Sequence, residues 1–220
     1  MGRPSGSRNQ DYEATEEAIA AKVLGVIVRR GARVSLNELA REAGVSIPTL
    51  KHYFGDRSGV VAHALRSARK QGETYIAQVA DPGKLGLSAS LRKVAEDLAR
   101  AWVPFGVGQL FVQGLAAGVF DETAGPGYLD GVLEPTLRAM EERLRVHARR
   151  GEARLDADDD LAVRTAALAF LSPLLMALIH QHALSGTTCR PLPVDRFTAL
   201  HVDRFTDAYG VSKPGPGKQT

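Results

Sequence analysis

The side chains with the most evident chemistry lie in a short run between residues 46 and 57. At helical spacing this run separates an apolar face, with Leu50 and Phe54 one turn apart, from a polar face. The polar face carries Pro48, Thr49, Lys51 and His52. A short helix of this kind is suited to the major groove of DNA, where outward donors and acceptors read the base edges. An ordinary helical hairpin would show the same apolar spacing, so the spacing leaves both interpretations open.

Two helix boundaries position that run. Ser35 and Glu38 have the spacing of a capping box, which predicts a helix start, and Gly44 predicts the end of that helix. Ser46 then caps a second helix, in whose first turn Pro48 is tolerated. The first helix is expected to direct Leu36, Leu39, Ala40 and Ala43 inward. The segment is therefore predicted to be a helix-turn-helix in which the two serines, at helix starts, bind phosphates.

Residues 34–65, VSLNELAREAGVSIPTLKHYFGDRSGVVAHAL, resemble the N-terminal domain of the TetR family of bacterial transcriptional regulators. The matching features are a preceding long helix, the core of residues 39–46, Thr49-Leu50, the aromatic pair Tyr53-Phe54 and the basic residue Arg57. The resemblance implies that the second helix is the recognition helix, that Tyr53 touches a phosphate and that Arg57 lies near the DNA backbone. Lys51 stands where the family often has Tyr, so the base preference stays open.

The rest of the sequence predicts an all-α chain in four parts. These are a flexible basic arm (1–12), a helix-turn-helix DNA-binding domain (13–58), a helical regulatory and dimerisation domain (59–210) and a disordered tail (211–220). Further helices are expected near residues 15–30, 57–80, 90–103, 128–150, 156–184 and 194–209. The helix from residue 57 is expected to run unbroken and to link the two domains. Gly125-Pro126-Gly127 should break the chain before the helix 128–150, Glu141 should lie on that helix's solvated face, and Asp156 should cap the next helix.

The N-terminal arm contains two arginines, Arg3 and Arg8, among Gly, Ser and Pro. A basic arm ahead of a helix-turn-helix can enter the adjacent minor groove or follow the phosphates. A terminus of this composition is equally consistent with plain disorder. Binding of DNA by Arg3 and Arg8 is therefore one of two expectations.

Composition and charge exclude several classes of protein. Of the 220 residues, 44% are hydrophobic and 24% charged, which is typical of a globular chain rather than a disordered or membrane-embedded one. The net charge is +3, and residues 1–75 hold 12 Lys and Arg against 8 Asp and Glu. The single cysteine, Cys189, excludes an internal disulfide, and no signal peptide is apparent, so a cytoplasmic location is expected. The longest uncharged apolar run, residues 165–179, is too short to span a bilayer.

The predicted helix 156–184 is apolar nearly all round. Such a helix has to be covered on most sides, and a partner subunit is a natural cover. With the final helix it would form a four-helix interface about a two-fold axis, which the resemblance also implies. A monomer with a thick core is the alternative. A homodimer would suit a palindromic operator in double-stranded DNA.

The resemblance further implies a small-molecule inducer bound in the helical body, and no cofactor. The side chains expected to line its cavity are Trp102, Phe105, Phe111, Gln113, Met176 and His180. A plain core position is the alternative for each.

No constellation of catalytic residues stands out in the sequence. His180 and His182 point to different faces of a helix, and no acidic residue lies one turn from either, so no metal site is predicted. Two other classes stay open, an enzyme of helical fold with a vestigial helix-turn-helix and a protein-interaction adaptor. The sequence favours a non-enzymatic, ligand-responsive DNA-binding regulator, a repressor in the first instance, and leaves its operator, effector and regulated genes undetermined.

Overall fold

The computed structural model describes residues 5–31 and 33–211, with side chains from residue 11 onward. Within these ranges the chain is helical apart from short connections and one isolated bridge between Ala153 and Gly210, so the all-α prediction is confirmed. The α-helices are α1 (Ser5–Arg30), α2 (Leu36–Ala43), α3 (Ile47–Phe54), α4 (Arg57–Gln71), α5 (Glu73–Ala80), α6 (Leu87–Trp102), α7 (Val107–Phe120), α8 (Ala124–Tyr128), α9 (Glu134–Arg149), α10 (Asp160–His182), α11 (Gly186–Cys189) and α12 (Val194–Tyr209). A π-helix (Leu129–Leu133) joins α8 to α9.

The helices divide into two compact units. Unit 1 comprises Met1–Thr74 and Trp102–Pro135, and so contains α1 to α4, α7, α8 and the π-helix. Unit 2 comprises Tyr75–Ala101 and Thr136–Thr220, with most of α5, α6 and α9 together with α10 to α12. This division is a different one from the predicted functional domains, 13–58 and 59–210, which stay a prediction.

The Gly-Pro-Gly segment does not break the chain as expected, because it lies inside α8. Pro126 falls in the first turn, where no intrahelical donor is required. The glycines have a packing role instead. A Cβ on Gly127 would lie 2.5 Å from the Ala62 carbonyl oxygen, and one on Gly131 would overlap the Leu65 carbonyl. Glycine at both positions lets α8 and the π-helix lie directly on the backbone of α4.

Four helix boundaries also differ from expectation. Helix α1 begins at Ser5 rather than near residue 15, so residues 5–12 of the predicted arm are helical. The helix expected over 57–80 is interrupted at Gly72, a residue of low helix propensity, and continues as α5. Asp159 rather than Asp156 caps α10, since its carboxylate accepts from the Ala162 N–H at 3.0 Å. The expected start of α6 near residue 90 moves to Leu87.

The outer face of α9 is less solvated than its charge pattern suggested. Glu141 is buried at 8% exposure, and its carboxylate lies 3.0 Å from Arg164 on α10 and 3.7 Å from Arg145. A buried carboxylate requires such partners. The prediction that Glu141 is solvated was therefore wrong, because ion pairing across helices cannot be seen in the periodicity of one helix.

Helix α10 carries apolar side chains on both its buried and its exposed side. Its inner side packs on α12, with Phe170 and Phe205 ring centroids 5.1 Å apart. Its other side leaves Leu161, Leu168 and Met176 exposed at 75%, 42% and 62%. Among single helices in the described ranges, only α10 is long and apolar enough to cross a membrane, and 44% of its most apolar 18-residue stretch is buried. Helices α6 and α7 meet the same criteria only as a pair, which is bent by 81°. One such helix is weak evidence for a membrane span, because core helices of the same length and composition also meet these criteria.

Candidate nucleic-acid interface

The first helix of the hairpin begins and ends as the sequence predicts. The Ser35 hydroxyl accepts from the Glu38 N–H at 3.3 Å, while the Glu38 carboxylate accepts from the Ser35 N–H at 3.1 Å. Both helix boundaries are defined, because Gly44 closes α2 in the left-handed region at φ 72°. Leu39, Ala40 and Ala43 are buried, and Leu36 is half-buried.

The capping box has a consequence for the phosphate contact predicted at Ser35. The Ser35 hydroxyl also donates to the Glu38 carboxylate at 2.6 Å. This hydrogen bond is the main reason why the pKa of Glu38 is lowered, so the carboxylate is ionised near neutral pH. A phosphate approaching Ser35 would have to compete with that charge.

Helix α3 presents the two faces that its spacing predicts. Leu50 is 0% and Phe54 7% exposed, so both anchor the helix inside unit 1. Lys51 and His52 are exposed. Pro48 is also exposed, in the first turn. The polar face is therefore free to meet a partner.

Ser46 and Thr49 are tied to each other at the start of α3. The Ser46 hydroxyl accepts from the Thr49 N–H at 3.1 Å, and the two side-chain oxygens are 2.7 Å apart. Thr49 is half-buried, whereas Ser46 is exposed. The start of α3 is thus ordered by its own cap.

An aromatic contact that the sequence did not predict covers part of α3. Tyr12, on α1, has its ring centroid 4.5 Å from that of Tyr53 and 5.9 Å from that of His52. Tyr53 is half-buried as a result, and Tyr12 itself is 38% exposed. Tyr12 was expected to belong to a flexible arm, residues 1–12. It instead lies within α1, which starts at Ser5, and this helix places its ring against α3.

The two arginines of the predicted arm cannot be placed against DNA. Arg3 lies outside the described residues, and Arg8 lies in α1 with its side chain outside them. Their proposed contact with DNA stays a prediction.

Arg57 is fixed at the start of α4 rather than extended into solvent. Its Nε donates to the Val34 carbonyl at 3.0 Å, across the hairpin. Asp56 caps the same helix by accepting from the Gly59 N–H at 2.8 Å. The guanidinium is therefore held beside the start of α2, at the edge of the hairpin.

The first turn of α4 also bonds to the end of α7, within unit 1. The Ser58 hydroxyl donates to the Asp121 carboxylate, which in addition accepts from the Thr123 N–H at 2.9 Å. The hydrogen bond from Ser58 is the main cause of a lowered pKa at Asp121, so this carboxylate stays charged near neutral pH. Beside it lies an open cleft of about 320 Å³. Its lining includes Arg30, Arg33, Arg57, Gln113 and Phe120.

The six side chains predicted to line an effector cavity lie in different surroundings. In unit 1, Trp102 and Phe111 are 2% and 7% exposed, and their rings stack at 6.0 Å. Gln113 lines the cleft described above, whereas Phe105 is 79% exposed.

The other two of the six belong to α10, in unit 2. Met176 is 62% exposed, and His180 is half-buried with its Nδ1 2.7 Å from the Gln181 amide nitrogen. The buried rings in unit 1 fit a core role, and the exposed Met176 fits a surface. The effector assignment of all six stays a prediction.

Unit 2 contains a polar group that sequence analysis missed. This group, called here the buried polar cluster, consists of the buried residues Ser90, Arg143 and His147 and of Glu152, which is half-buried. His147 is fully buried, with Nδ1 2.6 Å from the Glu152 carboxylate and Nε2 2.8 Å from the Ser90 hydroxyl. Burial is the main cause of the lowered pKa of His147, and it outweighs the hydrogen bond that the ring donates to the Glu152 carboxylate. Serine, histidine and a carboxylate in this order can activate a nucleophile, but Ser90 is 0% exposed and also accepts from Arg143. The cluster therefore has a structural role.

Comparison with known proteins agrees with this geometry. Residues 24–64 match the family model of bacterial regulatory proteins of the tetR family. No curated protein sequence matches the chain significantly. Across the described helices, no group of His, Cys, Asp and Glu is placed to hold a metal ion.

Solved structures with the same fold cover nearly the whole chain. One assigned to the TetR family, from Mesorhizobium loti, has a TM-score of 0.69 at 18% identity and covers 91% of this chain and 98% of its own. Salmonella enterica GusR has a TM-score of 0.63 at 16% identity, covering 88% and 96%. The SmeT–triclosan complex has a TM-score of 0.59 at 18% identity, covering 92% and 96%. SmeT is the repressor of the Stenotrophomonas maltophilia multidrug efflux pump SmeDEF.

The hairpin and the surrounding helices define an all-α protein with an N-terminal helix-turn-helix DNA-binding domain. The family model and the fold together show that the chain carries the N-terminal domain of the TetR family and has the fold of its transcriptional regulators. The resemblance stated from the sequence is confirmed.

Proposed function

We propose that this protein is a ligand-responsive transcriptional repressor that binds a palindromic operator in double-stranded DNA as a homodimer. The observation that carries the proposal is the orientation of α3. Leu50 and Phe54 hold it inside unit 1, while Lys51 and His52 project outward from a helix of the right size for a major groove.

The side chains proposed to contact DNA divide into base-facing and backbone-facing groups. Lys51 and His52, with Pro48 and Thr49 beside them, face the base edges in this proposal. Tyr53, Arg57 and the two serines at the helix starts fix the register on the phosphates. The fixed position of Arg57 supports this role, because a guanidinium already held beside the hairpin loses little freedom when it meets a phosphate.

The exposed side of α10 supports the homodimer. Leu161, Leu168 and Met176 lie on one side of α10, and Leu200 on α12 is 48% exposed. Neighbouring exposed apolar side chains are typical of an interaction site, and a two-fold interface brings the same surface of two copies together. A pair of recognition helices related by that axis would read the two halves of a palindrome in a cytoplasmic regulator.

The effector response is supported by the fold and by one neighbour. SmeT has been solved with triclosan, so this fold can hold an apolar aromatic compound. The hydrogen bond between Ser58 and Asp121 offers a route of response, since it joins the end of α7 to the first turn of α4 next to Arg57. In this proposal an effector that displaces α7 moves α4 and weakens operator binding, which is the behaviour of a repressor released by an inducer.

Selection of DNA fragments tests the DNA-binding part. The purified protein is mixed with sheared genomic DNA, retained fragments are sequenced, and the affinity for an enriched fragment is titrated at several salt concentrations. Enrichment of a palindrome with a steep loss of affinity as salt rises supports the proposal, because neutralised phosphates release counterions. Absence of retained DNA, or binding that ignores salt, would instead favour a protein-interaction adaptor.

A further inference from the structure

Tyr12 contacts the recognition helix although it lies before residues 24–64, the part of the chain that matches the family. Its ring centroid is 4.5 Å from that of Tyr53, with an angle of 35° between the planes. Its edge contact with His52 is at 5.9 Å and 80°. The rings of His52 and Tyr53 are 5.3 Å apart at 77°. The three residues Tyr12, His52 and Tyr53 thus form one cluster on the exposed side of α3, called here the aromatic brace.

The part of α1 that carries Tyr12 is itself held in place. One turn further on, the Glu16 carboxylate lies 3.3 Å from the Nε2 atom of His63, on α4. The next residue, Glu17, lies 2.7 Å from the Lys70 ammonium, also on α4. Tyr12 therefore projects from a helix that is joined to α4, so its ring is a fixed surface for the side chains of α3.

We propose that Tyr12 is a positioning residue for DNA recognition, which holds His52 and Tyr53 in the orientations that bind the operator. The inference rests on the proposed function of α3. Exposed side chains lose rotamer freedom when they bind, and side chains that are ordered beforehand lose less, so the brace raises affinity. Because His52 faces bases and Tyr53 faces a phosphate in the proposed complex, the brace also couples base recognition to the register on the backbone.

The test compares wild type, Tyr12→Ala and Tyr12→Phe against a fragment that the wild-type protein retains, by fluorescence anisotropy at fixed salt. The alanine variant should bind about two- to tenfold more weakly, the range expected for one aromatic pair. The phenylalanine variant should bind as wild type, because the ring remains. Thermal unfolding checks that each variant is folded. Leu85→Ala is the matched control and should bind as wild type, because it removes a 39% exposed apolar side chain outside the brace.

Two further measurements separate positioning from a merely structural role. The ratio of affinities for the retained fragment and for a fragment of shuffled sequence should fall in Tyr12→Ala, because a misplaced His52 discriminates bases less well. In a double-mutant cycle the losses of Tyr12→Ala and Tyr53→Ala should be less than additive, since one acts through the other.

Three results would overturn the inference while leaving the proposed function intact. These are wild-type affinity in Tyr12→Ala, full additivity in the cycle, or a phenylalanine variant as weak as the alanine one, which would assign the effect to the hydroxyl. A wild-type protein that retains no DNA would refute the proposed function and the inference with it, and this is seen before any variant is compared.

Discussion

Replacing Arg143 with methionine tests how the buried polar cluster stabilises unit 2. Arg143 is 2% exposed, and its Nε donates to the Val79 carbonyl at 2.5 Å. One terminal nitrogen donates to the carbonyls of Gln78 and Asp81, both at 2.8 Å, and the other to the Ser90 hydroxyl. The guanidinium thus binds the free carbonyls at the end of α5 and the first turn of α6. Methionine is also long and unbranched but has no donor.

The loss of stability depends on which hydrogen-bond acceptors of Arg143 stay inaccessible to water in the variant. Gln78 and Asp81 are exposed residues, so their carbonyls can return to water. Val79 and Ser90 are 4% and 0% exposed, so their acceptors would be left without a donor. Each buried acceptor in that position costs about 1–3 kcal/mol. For these two acceptors together we therefore expect Arg143→Met to lower the free energy of unfolding by about 2–6 kcal/mol.

Urea unfolding followed by far-UV circular dichroism measures the loss, at equal protomer concentration because dimerisation would add to stability. The matched control is Arg149→Met, on the same helix, whose side chain is 56% exposed and 3.6 Å from Glu142. An exposed ion pair of this kind contributes about 0–1 kcal/mol. If the two variants lost the same small amount, the argument that Arg143 holds α5 and α6 together would be refuted.

Four other predictions concern the interface, acid sensitivity, assembly and packing. Lys51→Ala should weaken operator binding by about 1–3 kcal/mol in a gel-shift titration at fixed salt, because it removes an exposed donor that is proposed to face the bases. Burial lowers the pKa of His147, so the unfolded chain takes up a proton at this residue before the folded chain does. The free energy of unfolding should therefore fall as the pH drops below about 6.5, the pKa of a histidine in the unfolded chain. In urea titrations across this pH range, His147→Gln should show a smaller dependence of stability on pH. Met176→Glu should convert the proposed dimer to monomer in sedimentation velocity, since it places a charge in the proposed apolar interface. Gly131→Ala should destabilise the fold by about 1–3 kcal/mol or more in thermal unfolding, because its Cβ would overlap the backbone of α4.

Each of these has its own control. Lys51→Ala should melt as wild type, and unchanged affinity would contradict the base-facing role. An acid response in His147→Gln equal to that of wild type would mean that other groups cause it. Met176→Glu remaining a dimer would move the interface away from α10. Gly86→Ala is the comparison for Gly131, because a Cβ there meets nothing within 4 Å and the change should be tolerated.

Local signals were sufficient to predict the helix-turn-helix. The cap at Ser35, the turn at Gly44 and the cap at Ser46 each act within four residues, and the inward position of Leu50 and Phe54 follows from spacing alone. The final helix, Val194–Tyr209, was placed at its observed bounds for the same reason. Such features depend on neighbouring residues, so they can be recognised before the chain is folded.

The errors share another cause. Gly125 to Gly127 have the composition of a chain break, yet they are helical because α4 lies against them. Glu141 has the periodicity of a solvated residue, yet Arg164 from α10 pairs with it. In both cases an element distant in sequence changed the environment that composition suggested.

The sequence by itself determined the class of the protein, because the hairpin that carries Lys51 and His52 is specified by capping, turn and spacing rules over about twenty residues. Only the tertiary structure decided which groups distant in sequence meet within each unit. The ring of Tyr12 against Tyr53, the bond from Ser58 to Asp121 and the carbonyls around Arg143 join residues about 40 to 65 positions apart. Side chains so far apart in the chain meet only when whole helices pack, and no local propensity records which helices those will be.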